Sequence, residues 1–147
     1  MMNVLLLGAT GSIGESVLSV ISQNKESLNL FGVSFNKNIL RYQEILKEHS
    51  PDYVYIDDHD SFKSLCNNDK EKYLNGDKEL ENLINKDDVD IIVCATSGFA
   101  GLKTAYIASM TGKKILLANK ESIVAGGDLI LPLAKENNSE IIPIDSE

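Results

Sequence analysis

The chain has 147 residues, of which 43% are hydrophobic and 24% charged, a balance typical of a soluble globular domain with a sizeable core. Its formal net charge of -8 argues against nucleic-acid binding, which needs a basic surface, and its apolar runs are too short to span a membrane. The two cysteines are isolated in the sequence, which argues against a cysteine-bound metal and favours a reduced, cytoplasmic protein.

The first predicted element is a short apolar strand that leads into a glycine-rich turn. Val4–Leu7 is followed by Gly8-Ala9-Thr10-Gly11-Ser12-Ile13-Gly14, and a helix with Val17, Leu18 and Ile21 on one side comes next. Glycines allow a phosphate to approach the free N–H groups at a helix start. The spacing G-x-x-G-x-x-G differs from the NAD-type G-x-G-x-x-G. The sequence therefore predicts a dinucleotide site of a variant kind, and the alternative is a tight turn without a ligand.

The end of the second predicted strand, Leu28–Phe35, indicates which dinucleotide is bound. In an NAD-binding unit, an acidic residue about 20 positions beyond the glycines binds the ribose 2′-OH. Here Asn36, Lys37 and Asn38 follow the strand, so this stretch has a cation and no acid. Lys37 would attract a 2′-phosphate that a carboxylate would repel, which favours NADP over NAD. The alternative is a solvated polar loop.

The rest of the chain continues to alternate between strands and helices. The sequence predicts strands at 53–56, 89–95, 114–118 and 141–144, and helices at 39–46, 61–68, 77–85, 102–110 and 129–135. Asn38 is the expected N-cap of the helix at 39–46, and Leu40 belongs to the predicted apolar face of that helix. The small residues at 96–101 are expected to form a turn that borders the ligand crevice, and Gly126-Gly127 are expected to separate a first turn from the last helix. Pro143 suggests that the last strand lies at an edge of the sheet or is interrupted there. The near-continuous apolar run at 89–95 indicates burial on both faces. We therefore predict an α/β fold with a doubly wound, mostly parallel sheet of the Rossmann type.

Two polar clusters follow buried strands near the end of the chain. Asn119-Lys120-Glu121 places an amide, a cation and a carboxylate where a ligand crevice is expected, although ordinary helix capping is the alternative. In Asp145-Ser146-Glu147, an extended backbone puts both carboxylates on one face, which suits Mg²⁺ or Mn²⁺. The alternative for this second cluster is an exposed acidic segment.

Taken together, these motifs resemble the signatures of the 1-deoxy-D-xylulose 5-phosphate reductoisomerase family. The resemblance rests on residues 7–14, 117–122 and 143–147, with 98–102 between them in matching order, and it extends over the whole chain. It implies rearrangement of the phosphorylated sugar 1-deoxy-D-xylulose 5-phosphate, followed by reduction with NADPH to 2-C-methyl-D-erythritol 4-phosphate in non-mevalonate isoprenoid biosynthesis. It also implies a requirement for Mg²⁺ or Mn²⁺.

The resemblance also implies roles for individual residues. The pyrophosphate and ribose of NADPH would meet Thr10, Gly11, Ser12 and Ile13, and the 2′-phosphate would meet Asn36, Lys37 and Asn38. Asn36 stands where the family usually has glycine. Asn119 and Glu121 would border the cofactor. The implied catalytic residues are Lys120, Asp145 and Glu147; Lys120, Ser146 and Glu147 would contact the substrate, and Asp145 and Glu147 would bind the metal.

Family members continue through a catalytic domain and a C-terminal helical domain, and they resemble homodimers. We therefore expect residues 1–147 to be the N-terminal NADPH-binding domain, a fragment that binds cofactor but does not turn over substrate. The alternatives are a non-catalytic NADP-sensing Rossmann module and another NADP-dependent reductase of a small metabolite.

Overall fold

Strands and helices alternate along the whole of the computed structural model, which describes residues 1–67 and 69–144. The strands are β1 (Met2–Leu7), β2 (Leu28–Phe35), β3 (Tyr53–Ile56), β4 (Tyr73–Leu74), β5 (Ile91–Cys94), β6 (Lys114–Leu117) and β7 (Glu140–Pro143). The helices are α1 (Ser12–Gln23), α2 (Ile39–Ile45), α3 (His59–Cys66), α4 (Asp77–Ile84), α5 (Gly98–Ser109) and α6 (Lys120–Glu136).

The strands form one sheet in the order β4-β3-β2-β1-β5-β6-β7, and all neighbouring pairs are parallel. The chain winds outward from β1 to β4, then crosses to the other side of β1 and continues to β7. This is the predicted doubly wound α/β fold. Its switch point lies between β1 and β5, where Leu7 is the partner of Cys94, and ligands of such sheets bind beyond the carboxyl ends of the strands at that point.

Helices pack against both faces of the sheet, which explains why its central strands are almost continuously apolar. In β1, Val4 and Leu6 pack in the cluster that includes buried residues of α1 and α2, whereas Leu5 and Leu7 pack with residues of α4, α5 and α6. All four side chains are at most 4% exposed. Alternate residues of the strand therefore serve two separate cores.

Three local predictions were wrong. Leu40 is 76% exposed, because the short helix α2 directs Tyr42 and Ile45 into the core. Helix α5 begins at Gly98 rather than Leu102. Helix α6 is continuous through Gly126, where an added Cβ would lie 2.6 Å from Leu102 Cδ1 of α5. The Leu102 side chain packs into the space that this glycine leaves between α5 and α6, and this packing helps to offset the low helix propensity of glycine.

Three further features of the fold concern the cysteines, the length of the helices and the edge strand β7. Cys66 and Cys94 are buried free thiols, and burial raises the pKa of Cys94 to about 12, so this thiol stays protonated at neutral pH. No helix within 1–67 and 69–144 is long and apolar enough to cross a membrane. Pro143 lies on β7, which is an edge strand as predicted.

Candidate functional site

The glycine-rich turn is fixed between the ends of β2 and β5. Gly8 N donates to Ser34 Oγ at 2.9 Å, and Ala9 N donates to the Ser34 carbonyl oxygen at 2.9 Å. Gly8 has a φ of +92°, and a Cβ there would lie 2.7 Å from Ala95 C and 2.8 Å from Thr96 N. Only glycine combines this backbone conformation with this close approach.

Helix α1 begins directly after the turn and leaves its first N–H groups free. The Glu15 N–H makes an early helical bond, to Gly11 O at 2.9 Å. The N–H groups of Ser12 and Ile13 have no carbonyl acceptor within the helix because they lie in its first turn. Within the described part of the chain, no side chain at the N-cap position Gly11 bonds to them either. Such groups, at the positive end of the helix, form a site for an anion.

Two cavities meet at this turn. The first, of about 490 Å³, lies beyond β2 and β3 and is lined by residues including Thr10, Asn36, Tyr55, Leu80 and Phe99. The second, of about 330 Å³, lies between the starts of α1 and α6 and is lined by residues including Ser12, Ile13, Ala118, Asn119 and Glu121. Gly11 and residues 95–97 line both cavities. The pair therefore forms an elongated space over the carboxyl ends of β1 and β5, with the free α1 N–H groups at its middle.

A third cavity, of about 540 Å³, lies on the α1 face of the sheet and has a different character. Its lining is dominated by apolar side chains, among them Val17, Val20, Ile91 and Leu116. Burying a phosphate against these apolar side chains would be costly, and the described residues that line this cavity include no cationic side chain. We therefore place the candidate site in the two cavities beside the glycine-rich turn.

The first cavity combines an apolar interior with a charged rim. Tyr55 is 4% exposed, and burial, with smaller contributions from Asp57 and Asp77, raises the pKa of its hydroxyl to about 12. Asp77 at the start of α4 forms an ion pair with Lys103 of α5. This interior suits a flat, largely apolar ring whose polar edge faces the rim.

The loop predicted to meet a 2′-phosphate lies at the edge of this first cavity. Asn36, Lys37 and Asn38 are exposed, and Asn36 lines the cavity. Lys37 is near Asp58, whose pKa lies below its usual value mainly because of hydrogen bonds from Ser61, with a smaller effect from Lys37. Lys37 and the glycine-rich turn thus both lie at the carboxyl ends of the strands, Lys37 after β2 and the turn after β1.

Arg41 connects this loop region to α1. Its Nε lies 2.8 Å from Glu15 Oε1 and its Nη1 lies 2.9 Å from Glu44 Oε2, and its backbone N–H donates to Asn38 Oδ1 at 3.1 Å. The ion pair offsets the negative charge of Glu15, which lies in the first turn of α1. The cap bond confirms the prediction that Asn38 begins the next helix.

The second cavity brings together two of the later predicted residues. Asn119 is the N-cap of α6 and Glu121 is in its first turn. Lys120 is the first residue of α6, and its description is limited to the backbone. Asp145, Ser146 and Glu147 lie outside the described residues. Within 1–67 and 69–144, no group of three or more His, Cys, Asp or Glu side chains is arranged to hold a metal ion.

Phe99 belongs to the turn at 96–101 that was expected to border the crevice, whereas Tyr55, Asp77 and Lys103 were not singled out from the sequence. They come from β3, α4 and α5, which meet at the first cavity because the strand order places β3 and β5 on opposite sides of β1. The position of Tyr55 near the carboxyl end of a predicted strand was the one available signal.

Comparisons with known proteins agree with this geometry. The family model described as 1-deoxy-D-xylulose 5-phosphate reductoisomerase matches residues 4–127. The reductoisomerases of Clostridium perfringens and of Ruthia magnifica subsp. Calyptogena magnifica are 40% and 38% identical to this chain over its full length. The chain spans 40% and 39% of these two relatives.

Solved structures with the same architecture include enzymes of this name. A DOX-P reductoisomerase in complex with NADPH, fosmidomycin and magnesium is 33% identical with a TM-score of 0.89, covering 99% of this chain and 37% of that one. The Zymomonas mobilis enzyme in complex with NADPH is 30% identical with a TM-score of 0.88, covering 99% and 39%. A homoserine dehydrogenase from S. aureus, 22% identical with a TM-score of 0.57, shares the fold alone. The glycine-rich turn, the switch point and the family match agree, and the chain belongs to the 1-deoxy-D-xylulose 5-phosphate reductoisomerase family.

Proposed function

We propose that residues 1–147 form the NADPH-binding domain of a longer enzyme that converts 1-deoxy-D-xylulose 5-phosphate to 2-C-methyl-D-erythritol 4-phosphate. The observation that carries this proposal is the pair of cavities that meets at the uncapped start of α1. An elongated space with an anion site at its middle matches a dinucleotide, whose two halves flank a pyrophosphate. Family membership supplies the reaction.

We propose a position for each part of the cofactor. The adenosine half would occupy the first cavity, with Asn36, Lys37 and Asn38 next to its 2′-phosphate. The pyrophosphate would lie at Thr10–Ile13, and the nicotinamide half would enter the second cavity near Asn119 and Glu121. Bound NADPH supplies the hydride for the reduction. The contribution of this chain is to bind the cofactor and to orient its reactive ring.

The metal and substrate roles are proposed from the motif resemblance. Asp145 and Glu147 would hold Mg²⁺ or Mn²⁺, which prefer carboxylate oxygens, and Lys120, Ser146 and Glu147 would contact the phosphorylated sugar. Fosmidomycin and magnesium in a related structure support such a site in the family. Two carboxylates are too few for a metal site, so further ligands would come from the rest of the longer protein. We propose that this protein is a cytoplasmic homodimer that binds neither nucleic acid nor membranes.

Titration calorimetry with NADPH and NADH tests the cofactor proposal. The chain is expected to bind NADPH and to prefer it over NADH, because only NADPH carries the 2′-phosphate. Equal affinity for the two cofactors, or no binding of NADPH, would contradict the proposal. With substrate and Mg²⁺ or Mn²⁺ added, consumption of NADPH is expected to be negligible, since the metal and substrate sites need further residues. Substantial product formation would show that these 147 residues suffice.

A further inference from the structure

The carboxamide of Asn119 is committed to bonds within the protein. Its Nδ2 donates to Thr96 O at 3.1 Å and to Gly98 O at 3.3 Å, and its Oδ1 accepts from Ser122 N at 3.3 Å. A carboxamide has two N–H donors, and both are used here. Asn119 is 8% exposed. In this arrangement it has no hydrogen left to donate to a cofactor.

Gly101 provides the space for these bonds. A Cβ at Gly101 would lie 3.0 Å from Thr96 C and would overlap both the Thr96 carbonyl oxygen and Asn119 Nδ2. A side chain at position 101 would therefore displace the Asn119 carboxamide from its two acceptors. Asn119 and Gly101 act as one unit that joins the start of α6 to the start of α5.

The segment held by Asn119 is a wall of the candidate site. Residues 95–97 line both cavities, and Gly98 begins α5. The same segment contacts the glycine-rich turn so closely that a Cβ on Gly8 would lie 2.8 Å from Thr96 N. The position of Thr96–Gly98 therefore determines how wide the second cavity is between this segment and the glycine-rich turn.

We propose that Asn119 is a positioning residue: it fixes Thr96–Gly98 as the wall of the nicotinamide-side cavity and does not itself donate to the cofactor. This rests on the proposed binding of NADPH and assigns a specific role within that site. Its consequence is that the Asn119 side chain acts on cofactor affinity through a backbone segment, and that Gly101 is equally necessary.

The substitution Asn119→Ser separates the two roles of this side chain. Serine is as good an N-cap as asparagine, so the start of α6 keeps its cap while both donors to Thr96 and Gly98 are lost. NADPH affinity is expected to fall about tenfold. In the ligand-free chain, hydrogen exchange measured by mass spectrometry is expected to become faster at Ala95, whose N–H donates to Leu7 O at 2.9 Å next to the released segment.

Gly101→Ala is the second variant and is expected to reproduce both effects, since it pushes the carboxamide away. Asn85→Ser is the matched control, because it removes a similar side-chain bond, to Glu81 O at 2.9 Å, at the far end of α4. It should change neither measurement.

The outcomes distinguish three explanations. Weaker NADPH binding with unchanged exchange at Ala95 would mean that Asn119 contacts the cofactor directly, and this would overturn the proposal. Unchanged affinity in Asn119→Ser would reduce the residue to a purely structural role and would overturn it as well. If Asn119→Ser does not fold, Gly101→Ala decides by the same two readouts. Failure of the unsubstituted chain to bind NADPH would instead refute the proposed function.

Discussion

Gly14→Ala tests whether the contact between α1 and the glycine-rich turn limits the stability of the domain. Gly14 is buried in the first turn of α1, and a Cβ there would lie 2.6 Å from Ala9 O, 2.7 Å from Ala9 C, and closer still to Gly8 O. The 2.6 Å distance is roughly 0.8 Å short of ordinary van der Waals contact, which begins near 3.4 Å. All three neighbours are backbone atoms, so none of them can rotate aside, and either α1 or the turn must move.

The expected magnitude follows from two opposing effects. Overpacking in a tight site costs about 1–3 kcal/mol, and the upper end applies here because the neighbours belong to the backbone. Alanine regains about 1 kcal/mol through its higher helix propensity. We therefore expect Gly14→Ala to lower the free energy of unfolding by about 2 kcal/mol. NADPH binding should weaken too, because the first N–H groups of α1 would be displaced.

Urea titration followed by circular dichroism measures this change, and Gly127→Ala provides a matched control. A Cβ at Gly127 in α6 would lie 3.8 Å from Ile123 Cγ2 and 3.9 Å from Leu131 Cδ1, which is ordinary contact. This second variant should therefore be more stable than the unsubstituted chain, by about 0.5–1 kcal/mol. If Gly14→Ala is also as stable as the unsubstituted chain or more so, the steric reasoning is refuted.

Three further predictions concern charge, pH and the core. Lys37→Ala should weaken NADPH binding about tenfold or more in calorimetry and leave NADH binding unchanged. Lys47 is an exposed lysine beyond the end of α2, and Lys47→Ala should change neither affinity. Equal losses for both cofactors would contradict the role of Lys37. His49 is buried with Nε2 3.1 Å from Ser22 Oγ, and burial lowers its pKa, so the unfolded chain takes up a proton first. The stabilising contribution of neutral His49 is complete above the unfolded pKa of about 6.5 and is lost as the pH falls below that value. In urea titrations, His49→Gln should reduce the dependence of the free energy of unfolding on pH. An unchanged dependence would exclude His49 as its cause. Ile92→Ala empties a fully buried position in β5 and should cost about 2–5 kcal/mol in the same titrations, whereas a loss below 1 kcal/mol would mean that the core repacks around it.

The sheet was largely predictable because its strands are short, apolar and separated by amphipathic helices. Leu28–Phe35 was predicted with the bounds of β2, and Asn38 was identified as a helix cap. The glycine-rich turn was predicted because its position between a strand and a helix is a local pattern. Such features depend on residues close together in sequence, which periodicity and turn chemistry can read.

The parts that were missed depend on contacts between distant segments. Gly98 was expected in a turn; it begins α5 with a φ of +69°, and its carbonyl oxygen accepts from Asn119, which lies in a distant segment. Tyr55 and Lys103 line one cavity only because the strand order brings β3 and β5 to opposite sides of the turn. The bonding of Asn119 was equally out of reach, although its position near the crevice was expected. The roles of Asp145 and Glu147 remain predictions.

The start of α1 presents backbone N–H groups, and every residue type except proline carries this group. Substitutions at Thr10 or Ser12 would therefore keep the proposed anion donors in place, provided that the turn retains its shape. Gly8, Gly14 and Gly101 allow no such freedom, since a single methyl group at each would overlap neighbouring atoms. A saturation library selected for NADPH binding should consequently be most restrictive at positions defined by a missing side chain. Within the glycine-rich turn, tolerance would be highest at Thr10 and Ser12, where the backbone and not the side chain is proposed to meet the pyrophosphate.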